Sequence, residues 1–210
     1  MKKIAYKDPS GKTRTWEMAE RQVGTFIPRH FLSLGILTPH QTRPKNTECD
    51  GVGVIAILRD PQNGPSLLLQ KQFRPPLNRV TIEVPSGLID EGETIAQSAL
   101  RELKEETGYV ATVPADERQD GGFIMWNDPG FCNTNTCMMF LDVDMRDPRN
   151  QKPEPELEEN EYIECFSLPL ATLWEDLTRL DKEGFAIDAR VATVAQGMEL
   201  AKKYKDVVLQ

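Results

Sequence analysis

Residues 87–109 constrain this 210-residue chain more than any other stretch. They read Gly-Leu-Ile-Asp-Glu-Gly-Glu-Thr-Ile-Ala-Gln-Ser-Ala-Leu-Arg-Glu-Leu-Lys-Glu-Glu-Thr-Gly-Tyr. Residues 94 to about 107 have the composition of a helix, and Gly108 stands where a left-handed residue ends one. Near that end come Arg101, Glu102, Glu105 and Glu106. Glu102 and Glu106 lie four positions apart, so they share a face, one turn above the other. Like charges at that spacing destabilise an isolated helix. A hard cation between them removes the repulsion. Two carboxylates with open coordination positions are how proteins hold Mg2+ when phosphate oxygens complete its shell. The plain alternative is a solvated acidic helix ended by a glycine.

The rest of the chain bounds what such a site can serve. Length suits one large domain, or one domain with an extension. Hydrophobic residues make up 39% and charged residues 28%, enough to build a core. No apolar run approaches the roughly 20 residues that cross a membrane. The first residues carry Lys2 and Lys3 with no apolar stretch behind them, unlike a secretory signal. The expected compartment is the cytoplasm, with nucleus and mitochondrion as alternatives. The net charge of −8, from 33 acidic and 25 basic residues, argues against a general binder of nucleic acid or anionic membrane. A small phosphorylated substrate needs only local positive charge. Cys49, Cys132, Cys137 and Cys165 show no paired spacing, so idle reduced thiols are expected rather than disulfides or zinc. His30 and His40 lie far from the carboxylates in a Pro- and Thr-containing stretch and suit neither metal ligation nor base catalysis.

Along the chain, residues 4–7 and 13–17 flank Asp8-Pro9-Ser10-Gly11-Lys12 and predict a hairpin. Residues 22–48 lack a period and read as an irregular connection, with a short helical turn near 29–34. Strands are expected at 52–58, 66–73 and 80–84, with Pro75 and Pro76 ending the second. Residues 85–87 read as a tight loop before the helix. Further strands are expected at 122–126, 137–143 and 161–166, and helices at 172–181 and 188–204. Residues 144–158, rich in Pro, Asp, Glu and Arg, read as a mobile surface loop. Strands on both sides of a central helix give an α/β or α+β class. The natural division is 1–50, a β-rich extension, and 51–210, the main domain.

A carboxylate site without nitrogen or sulfur ligands favours Mg2+ or Mn2+ and a di- or polyphosphate substrate. The cation can polarise phosphorus, neutralise charge on the bridging oxygen and lower the pKa of a bound water. The chain has no evident Ser-His-Asp set, activated cysteine, or GxGxxG or GxxxxGK[ST] loop, so direct attack by water is the simplest route.

Gly87, Glu93, then Arg101-Glu102-Leu103-x-Glu105-Glu106-x-Gly108 resembles the Nudix box of the Nudix hydrolases, with Tyr109 in its last, aliphatic or aromatic, position. Lys71-Gln72-Phe73-Arg74-Pro75-Pro76 and Ile82-Glu83-Val84-Pro85-Ser86-Gly87 are similar to the ADP-ribose pyrophosphatase branch, fungal members especially. So are Asn127-Asp128-Pro129-Gly130-Phe131, Asn160-Glu161-Tyr162-Ile163-Glu164 and Asp188-Ala189-Arg190-Val191. The resemblance covers 4–21 and 51–205; residues 22–48 are longer than that group suggests. It implies an α/β/α sandwich with a mixed sheet, and Mg2+-dependent cleavage of ADP-ribose and related ADP-sugars to AMP and ribose 5-phosphate.

The resemblance also implies roles. Glu102 and Glu106 ligate metal with the Ser86 carbonyl, Glu105 assists, and Arg101 holds the carboxylates in register. Glu93 supports the loop and the helix start; a simple N-terminal helix acid is the alternative. Arg74 contacts the diphosphate, with Arg21 as second candidate. Trp16 stacks on adenine and Glu17 accepts from its amine; a half-buried hairpin aromatic is the alternative for Trp16. Asp128 and Gly130 join the substrate-binding set. Glu161 binds metal or positions the attacking water, with Glu159 as competitor. A second stacking tryptophan of the family would lie upstream of residue 1. A homodimer with exchanged N-terminal segments is implied. Alternatives are another nucleoside diphosphate derivative, a dinucleotide or oxidised nucleotide as substrate, or a silent nucleotide-sugar sensor. RNA decapping would need a basic path that the acidic balance does not offer.

Overall fold

The computed structural model describes residues 2–7, 10–20, 22–23, 42–43, 48–115, 121–157 and 161–205, the side chains of Lys7, Trp16, 22–23 and 42–43 excepted. The helical turn expected near 29–34, both histidines, Arg21 and Glu159 lie outside them. β1 (Lys2–Lys7) and β2 (Thr13–Met18) form the expected hairpin, with Ile4 opposite Trp16. β3 (Gln22–Val23) and β4 (Thr42–Arg43) are a short parallel pair.

Among the described residues the main sheet has eight strands. β5 (Gly51–Asp60) pairs in parallel with β10 (Asn135–Asp144) along one edge. Its other edge takes β6 (Gly64–Arg74) at Ile57–Asp60 and β8 (Ser86–Leu88) at Gly51–Gly53. β6 continues onto β7 (Arg79–Glu83), while its opposite edge carries β11 (Ile163–Pro169). β9 (Met125–Trp126) borders β10, and β12 (Ala186–Ile187) borders β7.

Residues 51–58 form an unbroken apolar strand because both faces are buried. Val52, Val54, Ala56 and Leu58 pack with Leu68, Met139 and Leu141 beneath helix α1 (Ile95–Thr107). Ile55, Leu67, Leu69 and Ile82 pack on the other face beneath α2 (Leu173–Lys182) and α3 (Ala189–Lys203). The result is the α/β/α sandwich. Leu103, fully buried, centres the first layer; truncating such a leucine to alanine costs about 2–5 kcal/mol.

α1 begins at a capping box: the Thr94 hydroxyl accepts the Gln97 N–H at 3.2 Å, and Gln97 Oε1 accepts the Thr94 N–H at 2.9 Å. It ends at Gly108, φ 77°, whose N–H donates to the Lys104 carbonyl at 2.8 Å.

Three expectations are corrected. Residues 86–88 are a strand rather than part of a tight loop, because β6 diverges after Ile57 and leaves half of the β5 edge for β8. The strand expected at 122–126 shrinks to Met125–Trp126, since Gly121 and Gly122 take φ of 70° and 75° and break its extended run. Residues 144–157 are not a loose loop. The buried Asn150 side chain donates to the carbonyls of Val110 and Asp144 and accepts the Val110 N–H at 2.8 Å. The Glu156 N–H then donates to the Glu105 carbonyl at 2.7 Å, tying this segment to the end of α1. The four cysteines are free thiols; Cys49 and Cys137 are buried with sulfurs 3.3 Å apart.

Candidate active site

The buried stripe of α1 runs Ala96, Ala99, Leu103, Glu106. It is a core-facing stripe whose last position is a carboxylate. The sheet beneath makes the same change: along β6, Leu68 gives way to Gln70, and Gln70 pairs in register with Glu83 of β7. A polar chamber therefore replaces the apolar core at this end of the layer. Gln70, Glu83 and Glu106 are all at least 95% buried. Glu106 Oε2 accepts the Ser86 N–H at 2.8 Å, and its Oε1 faces Gln70 Nε2 at 3.5 Å.

Arg101 organises the remaining carboxylates. Its Nε and Nη2 grip the two oxygens of Glu93 at 2.8 and 2.9 Å. Nη1 donates to Glu102 at 2.8 Å and Glu105 at 3.0 Å, and Nη2 also reaches the Leu88 carbonyl at 3.0 Å. All five guanidinium N–H groups are thus engaged, which only the planar arginine fork allows. Arg101 holds the Glu93 carboxyl down at about 2. Glu93 is therefore more than a helix-dipole acid: it anchors the arginine.

Glu102 and Glu106 move the other way. Burial pushes Glu102 up to about 7, with Glu105 and Glu161 adding repulsion that Arg101 partly offsets. Burial pushes Glu106 up to about 8, against the Ser86 N–H, with Glu102 and Glu161 adding to the rise. Folding thus accepts a cost to hold two carboxylates where their charge is disfavoured.

A close approach at β8 makes room for Glu102. A Cβ on Gly87 would fall 2.0 Å from the Glu102 carboxyl carbon. Among the described residues no three His, Cys, Asp or Glu side chains form a ready cage for a metal ion. What is present is an oxygen-only set of two partly desolvated, repelling carboxylates beside backbone groups. That set fits a hard divalent cation that keeps positions for a ligand's own oxygens. A closed structural zinc site would need more ligands and softer ones.

The outlying candidates divide. Arg74, last in β6, sits close enough to feel Glu106, though Glu83 is its main partner. Glu161, just before β11, repels both Glu102 and Glu106, so it belongs to the same cluster. It also lines an open cleft of about 550 Å3 with Lys71, Phe73 and Tyr162. Asp128 and Gly130 lie on an exposed turn, where the Asp128 carbonyl accepts the N–H groups of Phe131 and Cys132. The N-terminal hairpin docks there, the Ala19 N–H donating to the Phe131 carbonyl at 2.8 Å. This brings β2, with exposed Glu17 and with Trp16, alongside the Asp128 turn; the Trp16 side chain lies outside the described residues.

Gln70 and Glu83 line the site without a role expected from the sequence. Glu83 was detectable: it is a charge inside a strand, between Ile82 and Val84, both buried. Gln70 carries no comparable signal, because its burial depends on the facing helix.

A family model for the NUDIX domain matches residues 50–187. The chain is 44% identical over 205 residues to an ADP-ribose pyrophosphatase of Saccharomyces cerevisiae, covering 97% of this chain and 78% of that protein. It is 35% identical over 193 residues to an ADP-sugar pyrophosphatase of Mus musculus, covering 90% and 76%. A crystal structure of an ADP compounds hydrolase superposes with a TM-score of 0.54 at 20% identity, over 96% of this chain and 85% of that one, which is a likeness of fold. The arginine-bound carboxylates on α1 fall inside the matched segment, and the chain belongs to the Nudix hydrolase family.

Proposed function

We propose that the protein hydrolyses the diphosphate bond of ADP-ribose and related ADP-sugars, giving AMP and ribose 5-phosphate, with Mg2+ as cofactor and Mn2+ able to replace it. The observation that carries this reading is the pairing of a saturated Arg101 hub with two charge-disfavoured carboxylates, Glu102 and Glu106. The 44% identity to the yeast ADP-ribose pyrophosphatase supports the substrate.

In this reading Glu102, Glu106 and the Ser86 carbonyl hold the cation, and Glu105 assists. The cation supplies charge neutralisation on the diphosphate and a more acidic bound water. Arg101 fixes Glu102 and the Ser86 N–H fixes Glu106, so that ligation needs little reorganisation. Arg74 donates to a phosphate oxygen. Glu161, beside the cluster, accepts the proton of the attacking water. Trp16 and Glu17 recognise adenine, with Arg21, Asp128 and Gly130 completing the substrate contacts. Docking of the hairpin on the Asp128 turn supports bringing these groups together. Residues 1–50 act as the base-recognition and dimerisation segment of a homodimer.

The test is product analysis of purified protein with ADP-ribose and Mg2+, against other nucleoside diphosphate sugars, dinucleotides and nucleoside triphosphates. Release of AMP and ribose 5-phosphate, with triphosphates poor, is expected. Absent turnover of ADP-ribose, or equal turnover of triphosphates, would reject the assignment.

A further inference from the structure

Arg74 and Glu83 close onto each other in a specific way. Glu83 Oε1 accepts from Arg74 Nε at 2.7 Å and Oε2 accepts from Nη2 at 2.6 Å. The pair is asymmetric in burial. The Glu83 side chain is 3% exposed and the Arg74 side chain 42%. Glu83 is thus a fixed buried anchor, and Arg74 is the partner that reaches the surface of the chamber.

Which edge of the guanidinium is consumed decides what remains. Nε–H and one N–H of Nη2 form the lateral fork, and Glu83 takes both. Three of the five guanidinium N–H groups are left, two on Nη1 and one on Nη2. They form the end fork, the geometry that binds a phosphate through two parallel hydrogen bonds. Glu83 cannot swing aside, since it lies within the β6–β7 pairing opposite Gln70. Arg74 also feels Glu106 and Asp188, so the guanidinium stands at the carboxylate cluster, not away from it. An unanchored arginine there would be drawn onto those carboxylates.

We propose that Glu83 is a positioning residue for phosphate binding: it holds Arg74 by the lateral fork so that the end fork is presented to the diphosphate of the substrate. This rests on the reading of Arg74 as a diphosphate contact. Glu83 itself touches no substrate. Its buried charge has two uses, turning the guanidinium and keeping Arg74 off Glu106.

The test compares wild type, Arg74→Ala, Glu83→Gln, Glu83→Asp and the Arg74→Ala/Glu83→Gln double variant. Steady-state kinetics with ADP-ribose and Mg2+ are measured, with calorimetric binding of magnesium pyrophosphate as a readout independent of turnover. Thermal melts confirm folding, and Glu83→Asp keeps the charge while losing reach if Glu83→Gln folds poorly. Glu83→Gln should raise KM and weaken pyrophosphate binding about tenfold, the scale of one lost charge-assisted contact, with kcat within about threefold. In the Arg74→Ala background the same change should add less than about twofold, because the two residues act as a unit. Two results overturn the proposal: an equal penalty for Glu83→Gln with and without Arg74, or unchanged pyrophosphate binding in Glu83→Gln. Failure of the wild type to cleave ADP-ribose would instead strike the substrate assignment, while pyrophosphate binding would still report on the pair.

Discussion

Glu106→Gln should do two opposite things. Gln fills the same space, and its carbonyl oxygen can accept the Ser86 N–H that Glu106 now accepts at 2.8 Å. The new amide N–H₂ would face Gln70, whose Oε1 is buried without a hydrogen-bond partner. Turning the Gln70 amide over pairs the two. What disappears is the buried carboxyl, raised from 4.5 to about 8. Because the folded carboxyl keeps its proton to a higher pH than the unfolded one, the folded state binds more protons between those values. Its contribution to stability is therefore full below pH 4.5 and is lost as pH rises through about 8. At pH 7.5 the penalty removed is on the order of 4 kcal/mol. For a chain of this size that is a rise of roughly 10 °C in the melting temperature of metal-free protein. Turnover should move the other way. Loss of a ligand that stabilises transition-state charge by several kcal/mol lowers kcat about a thousandfold. The assay is thermal unfolding from pH 5 to 9, with chelator or with Mg2+, beside kcat for ADP-ribose. The wild type should lose stability toward alkaline pH in chelator and regain it with Mg2+. The Gln variant should keep only the smaller loss that Glu102 confers up to about pH 7, stay level above it, and gain little from Mg2+. A variant less stable than wild type in chelator at pH 8, or one with an undiminished Mg2+ shift, would refute the reasoning.

Further substitutions test the parts around it. Arg101→Lys keeps the charge but cannot engage five acceptors, so metal affinity and kcat should each fall roughly 10- to 100-fold, read by Mn2+ titration and kinetics. Gly87→Ala places a methyl 2.0 Å from the Glu102 carboxyl carbon. A side chain can rotate away, so the melting temperature should hardly change, while Mn2+ affinity drops about tenfold or more. Gly108→Ala is the converse case. Its φ is 77° and its Cβ would lie 2.3 Å from the Glu154 backbone nitrogen, which cannot rotate away. Urea unfolding should show a loss of about 2 kcal/mol or more.

The legible parts of this chain are those in which local chemistry and tertiary role agree. The α1 boundaries were readable because Thr94, Gln97 and Gly108 cap by local rules, independent of the core. Strand β5 was readable because burial on both faces leaves an unbroken apolar run. β8 and β12 were not. Each is short, three and two residues, and exists only because a distant strand offers an unpaired edge. Residues 144–157 misled because their composition is polar, yet one buried asparagine, Asn150, pins them. In the site, the spacing of Glu102 and Glu106 predicted a shared face. It could not predict that Glu106 continues the same stripe as Leu103 and sinks to 5% exposure. The Arg74–Glu83 pair was invisible as well, since the register places Glu83 opposite Gln70 and Arg74 opposite Arg79, and only the folded side chains bring the two together.

The saturation of Arg101 bears on how this segment can change over generations. Each of its five N–H groups already has an acceptor. Replacing any one of Glu93, Glu102 or Glu105 leaves a donor vacant, and the guanidinium is then pulled toward the carboxylates that remain. The harm from a second replacement depends on the first, so effects within the cluster will not add. Drift through this segment therefore has few neutral single steps. A library of single substitutions should show a sharp cliff at these positions, and recovery should require paired exchanges that restore an acceptor and its geometry together.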